Sequence, residues 1–169
     1  MFSLILKNSK YQGAKLLKIQ SKLILFFFIL INSIVSFSKE KINSEQLIWI
    51  VNEEKTMKLE ISDNFQKRKV GLMNRVSLEN DEGMIFIYDK VEPVNIWMYN
   101  TLIPLDIIFL KKNQIIKITP DVPPCPALPC ILYPSTYPVD MIIEINAGQA
   151  KVMNLEIGDN LTFFKKDIN

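Results

Sequence analysis

The chain has no histidine among its 169 residues. That removes Ser-His-Asp and Cys-His nucleophile systems and every His-ligated zinc, haem or copper site. The chemistry left to it rests on carboxylates, two arginines, one cysteine pair and a few thioethers. Asp106 and Glu144 each interrupt an apolar run, in Ile103-Pro-Leu-Asp-Ile-Ile-Phe109 and Met141-Ile-Ile-Glu-Ile145. If the two faced one cleft, one would have a raised pKa, and the pair would suit glycoside hydrolysis. Because strands alternate faces, the expectation is instead that both acids lie on the solvent side.

Lysine outnumbers arginine 18 to 2, yet both arginines, Arg68 and Arg75, fall within eight residues. Where lysine is the default cation, a retained arginine points to a need for a flat, two-pronged donor. Arg75 is expected either to pin a helix to a sheet, through Asp81, Glu82 or Asp106, or to face a ligand carboxylate or sugar oxygen. Trp97-Met-Tyr-Asn-Thr101 sets an aromatic plate beside amide and hydroxyl groups, the furnishing of a small polar-ligand pocket and equally of a core tryptophan at a sheet end. The candidate ligand-binding set is therefore Arg75, Trp97, Asn100, Thr101 and Asp106, and Asp106 with Glu144 is the catalytic alternative. Met73, Met84 and Met98 could form a thioether site for Cu(I), but core packing accounts for them, and neither a metal nor a cofactor is expected.

Cys125 and Cys130 are the only cysteines, in Cys-Pro-Ala-Leu-Pro-Cys. In an oxidising compartment an isolated pair reads as a disulfide. A redox-active pair or a metal-binding pair remains the lesser alternative, since the spacing is not the two-residue one of low-pKa thiols.

These residues need a scaffold, and from residue 46 onward the apolar pattern is mostly of period two, the mark of strands. Met57, Leu59 and Ile61 share a face, as do Met84, Phe86 and Tyr88, then Val94, Ile96 and Met98, then Leu105, Ile107 and Phe109, then Met141, Ile143 and Ile145. Adding Gln46–Val51, Ile115–Thr119 and Asn160–Phe164 gives about eight short strands. The expected fold is mainly β, an antiparallel sandwich or barrel, jelly-roll-like, with two short helices. One helix follows Asp63, capped by a box with Gln66, and the other follows Asn146, whose side chain is expected to cap the amide of Gln149. Between Pro120 and Pro138 stand seven of the nine prolines. That density excludes a helix or central strand and predicts a stiff, functional loop.

The amino-terminal region differs from the rest. Residues 1–38 hold five lysines and no acid, then nine unbroken apolar residues from Leu23 to Ile31. An apolar stretch of this length is that of an export signal rather than a spanning helix, which wants about 20 residues. Ser36 and Ser38 suit a cut before Lys39, leaving a single domain over residues 39–169; an uncleaved membrane anchor is the alternative. Of the 20 basic residues, five lie in this segment, leaving 15 against 18 acidic, a net charge of −3 for the remainder. Such a domain lacks the clustered cations that neutralise phosphates, so no nucleic-acid partner is expected. Contact with a membrane is expected only through the amino-terminal segment, if uncleaved.

Several segments recur in a fixed order: Arg68-Lys-Val-Gly-Leu-Met-Asn-Arg75, Asp81-Glu-Gly-Met-Ile-Phe86, Ile96-Trp-Met-Tyr-Asn-Thr101, Ile103 to Phe109, Glu144-Ile-Asn-Ala-Gly148 and Ile157-Gly-Asp159. Together, over about residues 56–164, they closely resemble the domain-of-unknown-function 192 family. The resemblance implies a small, mainly β domain with a jelly-roll-like or barrel-like core, often behind an export signal, and no established activity. It also implies that Gly71, Arg75, Gly83, Trp97, Asn100, Thr101, Pro104, Asp106 and Glu144 are positions shared with the family. The function expected on these grounds is a non-catalytic module that binds a small polar ligand or serves as an accessory. The alternatives are a carboxylate-based hydrolase of carbohydrate or cell-wall material, and a structural or assembly partner of another protein.

Overall fold

The computed structural model describes residues 46–51 and 55–165; the expected export segment, residues 1–38, lies outside them. Among the described residues nine strands and two short helices are formed: β1 (Gln46–Ile50), β2 (Thr56–Ser62), α1 (Phe65–Val70), β3 (Glu82–Glu92), β4 (Asn95–Trp97), β5 (Leu105–Lys111), β6 (Gln114–Val122), β7 (Leu132–Pro134), β8 (Val139–Asn146), α2 (Gln149–Val152) and β9 (Thr162–Lys165). The protein is mainly β, as the alternation predicts. All eight expected strands are present. The ninth, β7, lies inside the proline loop, where it pairs only with β4 and so needs none of a central strand's amides.

Seven strands make one open sheet in the order β6-β5-β8-β3-β2-β1-β9, and β4 with β7 makes a second, two-stranded sheet. The arrangement is sandwich-like, and the large sheet does not close. One pair, β2 with β3, is parallel, so that sheet is mixed rather than wholly antiparallel. A parallel pair needs a crossover, and α1 with the turns after it supplies that connection.

Both faces of the large sheet are buried, which decides the fate of the acidic residues. On one face Met57, Leu59, Ile85, Ile108, Ile143 and Ile145 pack with Trp49. On the other, Met84, Phe86, Ile107, Phe109 and Ile142 pack beneath Leu72, Ile96 and Met98. The central strands therefore read as apolar on both sides. An acid that interrupts them points into one of two cores and not into solvent.

The helix caps differ from the sequence reading. At α1 it is the Asn64 side chain, not Asp63, that accepts the Lys67 amide, while Asp63 pairs with the Lys67 ammonium at 2.9 Å. At α2 the residue before the helix is Gly148 in the left-handed region (φ 81°), and Asn146 turns away to donate to the Leu78 carbonyl at 2.7 Å. The cap comes from another strand, through Asp106.

Cys125 and Cys130 are joined in a disulfide that closes a loop of sequence separation five. So short a ring stabilises by about 2 kcal/mol at most in the chain-entropy view, and less where prolines already stiffen the unfolded chain. Reduction is expected to lower the unfolding free energy by about 1 kcal/mol. Denaturant unfolding with and without dithiothreitol measures this, and a loss of cooperativity would contradict a purely local role.

Candidate functional site

The face of the large sheet beneath α1 carries one row of residues directly opposite one another. Register places Glu60 of β2 beside Met84 of β3, Met84 beside Glu144 of β8, and Glu144 beside Ile107 of β5. Strand neighbours share a face, so Glu60 and Glu144 are on the same side two strands apart. Asp106 pairs with Ile145, which puts it on the opposite side.

A cleft of about 100 Å³ opens above Glu144. Its aromatic wall is made of Phe86, Tyr88, Trp97 and Tyr99. Thr101 lies beside them, and the last turn of α1, with Arg68, Lys69 and Gly71, forms the remaining side. Each residue is placed by a local cause. Trp97 is half-exposed on β4 because Ile96 and Met98, its neighbours in sequence, point into the core. Its ring stands 5.3 Å from that of Tyr99. The turn after α1 is made by Gly71 at φ 49°, a conformation that favours glycine, and a Cβ there would lie 3.2 Å from the Phe86 ring. Gly83 allows β3 to approach β8 behind Glu144; a Cβ would come within 2.7 Å of the Glu144 carbonyl oxygen.

Glu144 is 5% exposed. Among the described residues no group hydrogen-bonds or ion-pairs with its carboxyl, and burial alone pushes its pKa up to about 8. At neutral pH the group is therefore mostly protonated. Tyr88 is pushed up to about 12, first by burial; the charge of Arg68 opposes that rise and the charge of Glu144 adds to it. The Arg68 guanidinium lies over the Tyr88 ring at 4.8 Å and donates from Nη1 to the Ile87 carbonyl at 2.8 Å. Acid and base thus both act on one tyrosine.

Of the five ligand-binding candidates, the structure brings Trp97 and Thr101 to this cleft. Asn100 is a turn residue at φ 55° whose amide donates to the Cys125 carbonyl and whose carbonyl accepts the Asn74 amide. It anchors the disulfide loop and the turn after α1 without lining the cleft. Arg75 is bound in two-pronged fashion to Glu60, at 2.5 and 2.7 Å. Its partner is thus none of Asp81, Glu82 and Asp106; the parallel β2–β3 pairing, invisible in the sequence, brings Glu60 beneath it. Asp106, wholly buried, accepts from the amides of Asp121 (2.9 Å), Gly148 (3.1 Å) and Ala150 (2.8 Å). It is a structural acceptor with no face toward the cleft.

The pairing of Asp106 with Glu144 as two catalytic carboxylates accordingly has no common cleft, and the expectation that both point to solvent is also overturned. Met84 and Met98 pack in the core and Met73 lines the cleft. Among the described residues no group of three or more acidic or cysteine side chains is placed to hold a metal ion. The proline loop does not roof the cleft; it touches its wall through the bridge between Tyr99 and Cys125. Arg68, Lys69, Phe86, Tyr88 and Tyr99 are among the lining residues to which the sequence assigns no binding role. The period-two pattern put Tyr88 on the face of Met84 and Phe86, but only the β3–β8 register makes that the face of Glu144.

Arg75→Lys tests this division. It is expected to lower stability by about 0.5–1 kcal/mol, the worth of a partly exposed two-pronged pair, and to leave binding at the cleft unchanged. Urea unfolding and a ligand titration on the same variant check both halves.

The matches to known proteins agree with this architecture. Residues 48–163 match the model of the DUF192 family, described as uncharacterised. A crystal structure of a Sinorhizobium meliloti 1021 protein, described as a "putative transcription regulator", is similar at 30% identity and a TM-score of 0.61, over 71% of this chain and 93% of that one. A Novosphingobium aromaticivorans protein of unknown function is similar at 28% identity and a TM-score of 0.61, over 69% of this chain and 83% of that one. A comparison with curated proteins finds no match.

Proposed function

Because the chain belongs to the DUF192 family, whose description assigns no activity, function has to be argued from the site, and we propose that the protein is a non-catalytic module holding a small polar ligand in the cleft over Glu144. The observation that carries this reading is a nearly buried carboxyl group that faces a solvent-reachable cleft and has no hydrogen-bond or ion-pair partner among the described residues. A buried polar group without a partner is destabilising, and a ligand that completes its hydrogen bonds removes that penalty. Trp97 and Tyr99 add an apolar plate, the usual complement of a few directed polar groups in a small-molecule site. Catalysis by paired carboxylates is disfavoured, because the second acid is spent on three backbone amides of the other face.

The module is read as exported. The basic, apolar amino terminus supports this, as does the Cys125–Cys130 disulfide, since disulfides persist in oxidising compartments. Among the described residues no helix is long and apolar enough to cross a membrane. The regulator description belongs to the similar protein; for this weakly acidic domain we expect no nucleic-acid binding. Amino-terminal sequencing of the exported protein is expected to begin at Lys39.

Thermal-shift screening of the full chain with sugars, peptidoglycan fragments, amino acids and amines tests the binding reading. A ligand at 100 times its Kd stabilises the folded state by about 2.7 kcal/mol. A hit should be lost in Trp97→Ala and in Thr101→Val and retained in Arg75→Lys. A library without a hit favours a protein partner, for which exposed Trp97 and Leu132, opposite each other on β4 and β7, offer an apolar surface.

A further inference from the structure

We propose that the ligand of this cleft is an amino-acid-like zwitterion, its ammonium group seated on Glu144 among the aromatic rings and its carboxylate turned to Arg68 and Lys69. The inference rests on the reading of the cleft as a binding site and names the chemistry of what it binds. Its basis is the presence of an acid and two bases within one small space. Glu144 is the acid of the cleft, and Arg68 and Lys69 are its bases. No salt bridge joins Glu144 to either base among the described residues, so the acid and the bases have not neutralised one another. The faces of Phe86, Tyr88, Trp97 and Tyr99 attract an organic cation, and a carboxylate among them adds a charge-assisted hydrogen bond. Arg68 is pinned by the Ile87 carbonyl and the Tyr88 ring, which uses one N–H of its five and presents a preorganised fork to a planar carboxylate.

Competing ligands use only part of this set. A neutral polyol would stack on the rings and hydrogen-bond Glu144 but leave the bases without a counter-charge. A simple anion would meet Arg68 and Lys69 but leave the aromatic faces and the Glu144 carboxyl without a cation. A zwitterion satisfies both, and a volume of about 100 Å³ suits a compact head group.

Binding carries a proton signature. The empty site holds Glu144 as a neutral acid; an ammonium ligand brings its own protons and draws the carboxyl into its ionised form. The acid proton leaves to solvent, one for each ligand bound. The titratable groups that face Glu144 are Arg68 and Lys69 from α1, Tyr88 from β3, whose hydroxyl burial pushes up to about 12, and Tyr99 from the β4–β5 connection. From β5 only apolar side chains, Leu105, Ile107 and Phe109, share that face. Released protons therefore report Glu144, whose pKa lies at about 8 in the empty cleft.

The test is calorimetric titration of the full chain at pH 7 in two buffers of different ionisation enthalpy, with glycine, 4-aminobutanoate, methylammonium, acetate and glucose as probes. One of the two zwitterions is expected to bind at least about tenfold more tightly than methylammonium or acetate, releasing close to one proton. Which of them does so reports the spacing between acid and base. Glu144→Gln, which keeps the shape of the neutral acid, should weaken the zwitterion by about 10- to 100-fold and abolish proton release. Arg68→Gln should weaken the zwitterion by about tenfold and change methylammonium by much less, since Lys69 still faces the ligand carboxylate. Binding of glucose or acetate alone, sensitive to Trp97→Ala and without proton release, would overturn the zwitterion and leave the cleft a binding site. Silence from every probe would also overturn the zwitterion, and a silent wider library would remove the binding reading as well.

Discussion

Asp106→Ala is expected to destabilise the fold by about 3–5 kcal/mol, the largest effect of any single change considered. The carboxylate accepts from three backbone amides that come from two separate segments, Asp121 at the end of β6 and Gly148 and Ala150 at the start of α2. Alanine leaves all three without their acceptor, that of Ala150 fully buried and those of Asp121 and Gly148 partly so, and a buried amide so stranded costs about 1–3 kcal/mol. Asp106→Asn keeps one acceptor oxygen but turns an NH₂ toward donors, so an intermediate loss of about 2 kcal/mol is expected. Guanidinium unfolding of the two variants measures the order Asp, Asn, Ala. A loss below about 1 kcal/mol for alanine would mean that the amides find other partners and that Asp106 is free for a different role.

Glu144→Gln gives the second large effect, and its sign depends on pH. In the unfolded chain the carboxyl titrates near 4.5; in the folded domain burial lifts it to about 8. Between those values the folded state keeps a proton that the unfolded state has lost, so stability falls as pH rises. The contribution is fully present below about pH 4.5 and is gone above about pH 8, a change on the order of 5 kcal/mol. Glutamine does not titrate. The variant should therefore lack this slope and be more stable than the parent in alkaline solution, a reversal of the usual result of altering a buried polar residue. Asp63 and Asp81, held low by hydrogen bonds from Lys67 and Lys58, contribute in acid with the opposite sign, since their stabilisation is lost as pH falls through their lowered pKa values. Both are present in parent and variant, so the difference between the two curves isolates Glu144. Equal slopes between pH 5 and 8 would show that Glu144 is ionised in the folded state.

These two acids show what was legible in the sequence and what was not. Both were visible as interruptions of apolar strands, and the alternation around them marked the strands correctly. What alternation cannot show is the surroundings of each face. A half-buried strand sends its minor residues to solvent, but β5 and β8 are central strands covered on both sides, so the same spacing hides Asp106 in one core and Glu144 in the other. The lesson repeats at α2, where a local cap by Asn146 was the reasonable reading and a carboxylate from a strand 44 residues away from Ala150 holds the helix instead.

Other parts of the site depend on pairing alone. Trp97 and Thr101, which line the cleft, stand out by residue type, because an aromatic plate beside a hydroxyl is recognisable in one segment. Arg68 and Tyr88 lie 20 positions apart in the chain, and their contact, like their place in one cleft with Glu144, exists only once β3 lies between β2 and β8. Arg75 was rightly marked as a two-pronged donor, and its partner Glu60 was missed because β2 and β3 run parallel. In the proline loop, the density of fixed φ angles excluded a central strand and left room for the three-residue edge strand β7. The disulfide that follows from two lone cysteines is present.

The cleft over Glu144 is the place where a ligand is expected to sit. The most direct test is amide and indole chemical-shift mapping of the isotopically labelled chain titrated with the best thermal-shift hit. The predicted result is saturable change concentrated at Gly71, Leu72, Thr101, Glu144 and the Trp97 indole. Saturable change confined instead to the separate depression around Lys111, Tyr137 and Ile157 would contradict it.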